Sequence, residues 1–384
     1  MPGLVTIGVV SLVLHASLAG AFDPRAYPKS VATCKAPNRA EGKDVDIDIP
    51  LGQTMSTLIP PPRRLCFSFT AGRVSGVPGP TKLKNSGHVP SEYRLIVPDV
   101  RGFGSSTHPG DVRSSGTMDD IARDMFCVLD KAGVQSSICI GHDWGSSICF
   151  TGARMRPDIF TAVTGIAVPY LSGAGPFMPI RDYIPYFPGL AYQSFFNEHT
   201  TEAVAELAKD IRRTVRATLR DKASPPPEGF LKSDKTFLGA WDDVAEIPPV
   251  PFFTPNEEDY FVEQYEIQKF AYTLQYYTNE NRELTWSYAK EQGNYTLPQP
   301  TLSLLPTADV VADWALLLQI VKSDDFLPKG KTEYMDGGHW CHIEFPETAN
   351  KIIRAWLTET LETLEGQAAA QDEEQVVVDV HDEL

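Results

Sequence analysis

Two rhythms of apolar residues alternate through the middle of the chain. Tyr93-Arg94-Leu95-Ile96-Val97 is a short apolar run that stops at Pro98-Asp99 and the glycine-bearing "RGFGSS". A buried strand ending in a loop reads this way. Thr117 and Asp120 then frame a capping signal, and Met118, Ile121, Ala122, Met125, Phe126 and Leu129 recur at helical spacing until Gly133. Next come a predicted strand at Ile138 to Ile140, a helix from about Ser146 to Arg156, and a strand over Thr161 to Val168. Strands alternating with helical periods predict an α/β chain, with a mostly parallel sheet covered by helices on both faces.

The alternation breaks after Pro169. Residues 172–290 are rich in aromatics and proline, with helical stretches "EAVAELAKDIRRTVRATL" and "EDYFVEQYEIQKFAYTL" joined by loops such as "SPPPEG" and "IPPVPFFTPN". This reads as a helical cap inserted over the C-terminal edge of the sheet, where ligands bind in open α/β folds. The sheet pattern resumes at "TLSLLPTAD". A last core helix is predicted from Glu347 to Leu361, with Ile352, Ile353, Trp356 and Leu357 inward and Pro346 near its start. The division is then a core over 22–171 and 291–364 with the cap at 172–290. Residues 365–384 form an acidic tail, and "GQAAAQDEEQ" within it reads as disordered.

Composition narrows the partners. The chain has 384 residues, 42% hydrophobic and 22% charged, enough for one large core with an insertion. Its net charge of −16 argues against nucleic acid and anionic membrane surfaces. No clustered His/Cys spacing suggests a metal, and no cofactor is expected.

The ends read as addresses. "LVTIGVVSLVL" followed by Ala19-Gly20-Ala21 has the form of a secretory signal peptide, residues 1–21, with an uncleaved anchor as the rival. His381-Asp382-Glu383-Leu384 matches a retrieval signal, so the endoplasmic reticulum lumen is the expected location and its retrieval receptor an expected partner. Six cysteines would then meet an oxidising compartment. Cys66, Cys127, Cys139 and Cys149 fall within predicted strands or helices and are read as buried small hydrophobes. Asn294-Tyr295-Thr296 is a glycosylation sequon.

The chemistry is concentrated at "GHDWGSSICF", residues 141–150. It has the outline of a nucleophile elbow, G-x-S-x-G, with Asp143 in place of serine. A carboxylate of pKa about 3.9 is already ionised at neutral pH. It can displace a leaving group at an sp³ carbon and become an ester whose carbonyl is open to water. Aspartate also caps helices well, but a plain cap needs neither Gly141 nor Gly145. The second step needs a base. His339 in "GGHWCHIEFP" follows two glycines, with His342 as competitor. Its orienting acid should follow the resumed strand, and Asp309 is chosen over Asp313 in "SLLPTADVVAD".

At these residues the chain resembles the epoxide hydrolases of the α/β-hydrolase superfamily, especially fungal and mammalian soluble-type enzymes. "LIVPDVRGFGSS", "GHDWG", "YQSFFNE", "LQYYTNENR" and "GGHWCHIEFPETANKIIRAWL" look like that family's landmarks. The resemblance implies a small apolar epoxide as substrate and two cap tyrosines that protonate its oxygen. Tyr192 in "AYQSFF" and Tyr277 in "LQYYTNENR" match them, with Tyr276 adjacent to the second. One landmark departs. The family's oxyanion loop is usually His-Gly-x-Pro, and the nearest match here is Ser75-Gly76-Val77-Pro78. Backbone N–H groups of Val77 and Trp144 are the expected oxyanion donors.

Other readings stay open at this level. A haloalkane dehalogenase would use the same Asp143, and so would a biosynthetic enzyme in which the substrate's own hydroxyl opens the epoxide. A luminal binding protein that lost catalysis is a third reading, of a different class. Oligomeric state is not legible.

Overall fold

A computed structural model describes residues 29–54, 64–70 and 93–381. Strands β1 (Lys29–Asn38) and β2 (Lys43–Thr54) form an antiparallel pair. On β1 Ala32, Cys34 and Ala36 are buried, and on β2 Ile47 and Ile49, the period-two pattern of a half-covered sheet. Then follow β3 (Arg64–Thr70), β4 (Tyr93–Pro98), α1 (Met118–Lys131), β5 (Ser137–His142), α2 (Trp144–Met155) and β6 (Phe160–Ile166). After the cap come β7 (Thr301–Pro306), α9 (Trp314–Ile320), β8 (Gly330–Met335), the single turn α10 (Cys341–Glu344) and α11 (Pro346–His381). The sheet order is β1-β2-β4-β3-β5-β6-β7-β8, and every pairing from β4 to β8 is parallel.

Alternation along β5 divides the core into two layers. Ile138 and Ile140 point to one face and pack with Leu302, Leu304, Ile353, Trp356 and Leu357, under α11. Cys139 points to the other face, among Ile121, Met125, Ile148 and Cys149 of α1 and α2. The predicted capping signal at Thr117 is a complete capping box with Asp120.

That same alternation corrects the reading of the cysteines. Cys139 and Cys149 face each other and form a disulfide, Cα atoms 5.5 Å apart; a second joins Cys34 to Cys127 at 6.0 Å. Three of the residues taken as small hydrophobes are therefore covalent staples, while Cys341 is free and buried.

The cap lies between β6 and β7. Its helices are α3 (Ile180–Tyr183), α4 (Tyr192–Glu198), α5 (Thr200–Lys209), α6 (Ile211–Thr218), α7 (Pro255–Gln268) and α8 (Asn279–Gln292). The stretch "EAVAELAKDIRRTVRATL" is two helices. Asp210 takes extended backbone and its side chain accepts the Arg213 N–H, capping α6. The tail differs as well. The last helix runs on to His381, and the Ala-, Gln- and Glu-rich run read as disordered has the composition of a good helix former. Residues 1–21, the segment Ser75 to Pro78 with Val77, and Asp382 to Leu384 lie outside the described residues.

Candidate active site

The elbow forms because β5 turns sharply into α2. Asp143 sits at φ 54°, ψ −122°, a sparsely populated backbone region for a residue with a side chain. Its N–H donates to the Ile166 carbonyl at 3.0 Å, and its own carbonyl accepts from Ser146 at 2.9 Å. Two glycines permit this turn. A Cβ on Gly141 would lie 2.0 Å from the Gly145 carbonyl oxygen, and one on Gly165 of β6 would lie 2.3 Å from Ser146 Oγ. Asp143 makes no side-chain capping bond among the described residues, so the cap reading of this aspartate does not hold. Its carboxylate faces a cavity, about 20% exposed.

His339 arrives from the loop after β8. Gly337, at φ 147°, supplies a backbone conformation closed to other residues. His339 Nε2 is 4.0 Å from Asp143 Oδ1, and Nδ1 is 2.7 Å from Asp309 Oδ2. Asp309 is fully buried. It also accepts from the Val311 N–H at 2.8 Å and the Trp314 indole N–H at 2.5 Å. Asp313 caps α9 through the Leu316 N–H, so the choice between the two aspartates falls to Asp309. His342 is buried behind the site, against the ring of His142.

Electrostatics set the protonation states. Burial works against the His339 imidazolium, but Asp309 and Asp143 outweigh it and push its pKa up to about 9. Burial raises the Asp143 carboxyl, opposed by His339 and by the backbone N–H of Trp144. Burial, with the Asp143 charge adding to it, lifts both Tyr192 and Tyr277 above the usual phenol value.

Both tyrosines line the Asp143 cavity from the cap, their ring centroids 5.8 Å apart. Tyr192 opens α4, and Tyr277 closes the short turn Thr273–Tyr277. Of the neighbouring pair, Tyr276 stacks on the Trp144 indole and Phe103, whereas Tyr277 meets Tyr192 and Phe196 edge-on. The cavity holds about 260 Å³ and is walled chiefly by aromatic and aliphatic side chains. Arg220 and Lys222 line it too, but both are engaged. Arg220 donates to the carbonyls of Pro248 and Pro249, and Lys222 pairs with Asp336.

Sequence reasoning missed three supports of this site. Trp314 holds Asp309, Glu344 accepts the Gly338 N–H, and His142 contacts the His339 carbonyl. His142 alone carried a signal, its place beside Asp143. Trp314 and Glu344 are found only once the loops are folded. The sequon Asn294 is exposed.

Among the described residues, an eight-stranded α/β sheet with an aspartate at its strand-to-helix elbow, a His–Asp pair after its last strands and an inserted helical cap defines a hydrolase-type scaffold. A model of the alpha/beta hydrolase fold matches residues 81–346. The chain belongs to that family. It is 29% identical over 268 residues to bifunctional epoxide hydrolase 2 of Mus musculus, a match covering 69% of this chain and 47% of that one. The chain thus spans about half the length of this mammalian relative. It is 24% identical to epoxide hydrolase B of Mycobacterium tuberculosis over 69% of this chain and 83% of the other. Among solved structures, epoxide hydrolase A from Mycobacterium thermoresistibile superposes with a TM-score of 0.64 at 20% identity, over 86% of this chain and 98% of that one. An epoxide hydrolase from an endophytic Streptomyces gives 0.65 at 22% identity, over 86% and 95%.

Proposed function

We propose that the protein opens an epoxide to a vicinal diol through a covalent ester on Asp143. The observation that carries this is a carboxylate and two tyrosines lining one apolar cavity, with a His–Asp pair at its side. An Asp143 oxygen attacks an epoxide carbon, the carbon–oxygen bond breaks, and the alkoxide takes a proton from Tyr192 or Tyr277. The alkoxide is far more basic than phenolate, so the transfer runs downhill. His339 then removes a proton from water, and the hydroxide attacks the ester carbonyl. The backbone N–H of Trp144 stabilises the oxyanion, Val77 being the proposed second donor. Collapse breaks the ester carbon–oxygen bond, and the released alkoxide takes the proton of the transient Asp143 carboxylic acid to complete the diol. Protonated His339 returns its proton by way of water to the tyrosinate, restoring the starting state. Two hydroxyl donors suit an oxygen leaving group, which a halide would not need. The engaged charges of Arg220 and Lys222 favour an uncharged, apolar epoxide.

Oxygen labelling tests the reading. A single turnover in heavy-oxygen water, enzyme in excess, is expected to give unlabelled diol and a labelled peptide containing Asp143. Label in the diol alone would make water the direct attacker and remove Asp143 as nucleophile.

We infer further that the protein works in the lumen of the endoplasmic reticulum. Two disulfides and the exposed Asn294 support an oxidising, glycosylating compartment. Deleting His381 to Leu384 is expected to send active protein into the medium; retention inside cells would refute the retrieval role.

A further inference from the structure

The main chain of His339 is gripped on both sides. On its N-terminal side, Glu344 Oε2 accepts the Gly338 N–H at 2.8 Å, while Oε1 accepts the Lys222 N–H of the cap at 3.1 Å. On the other side the carbonyl oxygen of His339 lies 2.8 Å from Nε2 of His142. A carbonyl can only accept, so Nε2 of His142 carries the proton. His142 is 1% exposed, and the rings of His339, Trp340 and His342 stand 4.7, 4.8 and 4.4 Å from it, centroid to centroid. Its backbone is fixed as the last residue of β5. The residue after it is Asp143.

We propose that His142 is a positioning residue for the second half-reaction: by donating to the His339 carbonyl it sets where the base stands relative to the ester. This rests on the ester mechanism above. One side chain thereby ties the histidine loop to the strand that carries the nucleophile. The His339–Asp309 bond fixes which way the imidazole faces but leaves its distance from the elbow to the loop. That distance is what His142 controls. A displacement of about 1 Å in a catalytic group can cost on the order of a hundredfold in rate. The first half-reaction needs Asp143 and the tyrosines and asks no proton transfer of His339, whose charge alone bears on Asp143. The two steps therefore respond differently to a loosened loop.

The test compares His142→Met, which fills the space without a donor, with His142→Gln, whose amide nitrogen reaches the place of Nε2. Epoxide in excess is mixed with enzyme, the reaction is quenched, and the ester on the Asp143 peptide is followed by mass. The burst amplitude counts folded, competent sites. For His142→Met the expected result is alkylation within about threefold of wild type, with ester hydrolysis slowed roughly ten- to a hundredfold. His142→Gln should recover hydrolysis to within about threefold of wild type. Hydrolysis at the wild-type rate in His142→Met, equal loss of both steps, or a glutamine variant no better than methionine would each overturn the proposal. Should His142→Met fail to fold, the wild-type protein still decides: long-range ¹H–¹⁵N spectra must show His142 protonated at Nε2, and a bare Nε2 refutes it. If wild type itself forms no ester, the underlying mechanism fails and the proposal falls with it.

Discussion

In the proposed reaction, alkylation of Asp143 would remove a negative charge from the site, and His339 is one of the neighbours that would feel it. With Asp143 unmodified, two carboxylates hold the His339 pKa at about 9, so the ring is protonated at neutral pH. Were Asp143 an ester, only Asp309 would remain, the pKa would fall, and the ring would become able to accept a proton from water. Ester hydrolysis in single turnover should therefore rise with pH to a plateau, with its midpoint below 9. A rate flat from pH 6 to 9 would remove His339 as the base. Stability has the opposite sign. The folded pKa lies above the unfolded value of about 6.5, so this contribution is complete below pH 6.5 and lost as pH rises through about 9. His339→Gln should abolish that decline in denaturant titrations and accumulate the ester. On the cap side, Tyr192→Phe and Tyr277→Phe should each slow alkylation, with the double variant losing far more. General-acid catalysis is typically worth about a hundred- to ten-thousandfold. Unchanged alkylation in the double variant would reduce the tyrosines to packing. Asp143, Asp309 and His339 were legible as residues because each chemistry needs a specific group at a specific place in the chain. Tyr277 against Tyr276 was not, since adjacent aromatics differ only in which way the turn aims them.

Between β5 and α2 the elbow depends on contact without side chains. Gly141→Ala would drive a methyl to 2.0 Å from the Gly145 carbonyl, and the obstructing atom is backbone that cannot swing aside. The expected outcome is a loss of stability of roughly 1–3 kcal/mol, as overpacking commonly costs, with alkylation reduced in whatever protein folds. Equal activity and an equal unfolding midpoint would mean the helix can ride up off the strand. The elements themselves were readable where periodicity is strong. The capping box at Thr117, the alternation of β5 and the helix after Asp143 all follow from local rules. The break at Asp210 was hidden because apolar spacing continues across it, and a single capping aspartate outweighs the pattern. The Cys139–Cys149 bond was hidden for another reason. It requires knowing which face of β5 looks at α2, a fact of packing.

Across the whole molecule, stability rests in part on a buried ion pair and two covalent links. Arg101 is fully buried and binds both oxygens of Asp124 at 2.6 Å, with further bonds to the carbonyls of Ser115 and Asp120. Asp124→Ala would strand that guanidinium, so a loss of about 3–5 kcal/mol is expected in chemical denaturation. A change below 1 kcal/mol would show that water reaches it. The general architecture was legible from alternating strand and helix patterns, and the cap from the place where they fail. Strand order was not, because nothing local tells β3 that it lies between β4 and β5. The disulfides add a consequence in time. The four cysteines paired among the described residues lie within residues 34–149, ahead of the first cap helix at Ile180. A chain made from its amino end therefore presents every partner of both bonds while the cap is still unmade. Cys341, free and buried among the described residues, is made only after the whole cap, when both of these bonds have had that length of chain in which to close. The order of synthesis thus keeps this late thiol out of the pairing of the other four.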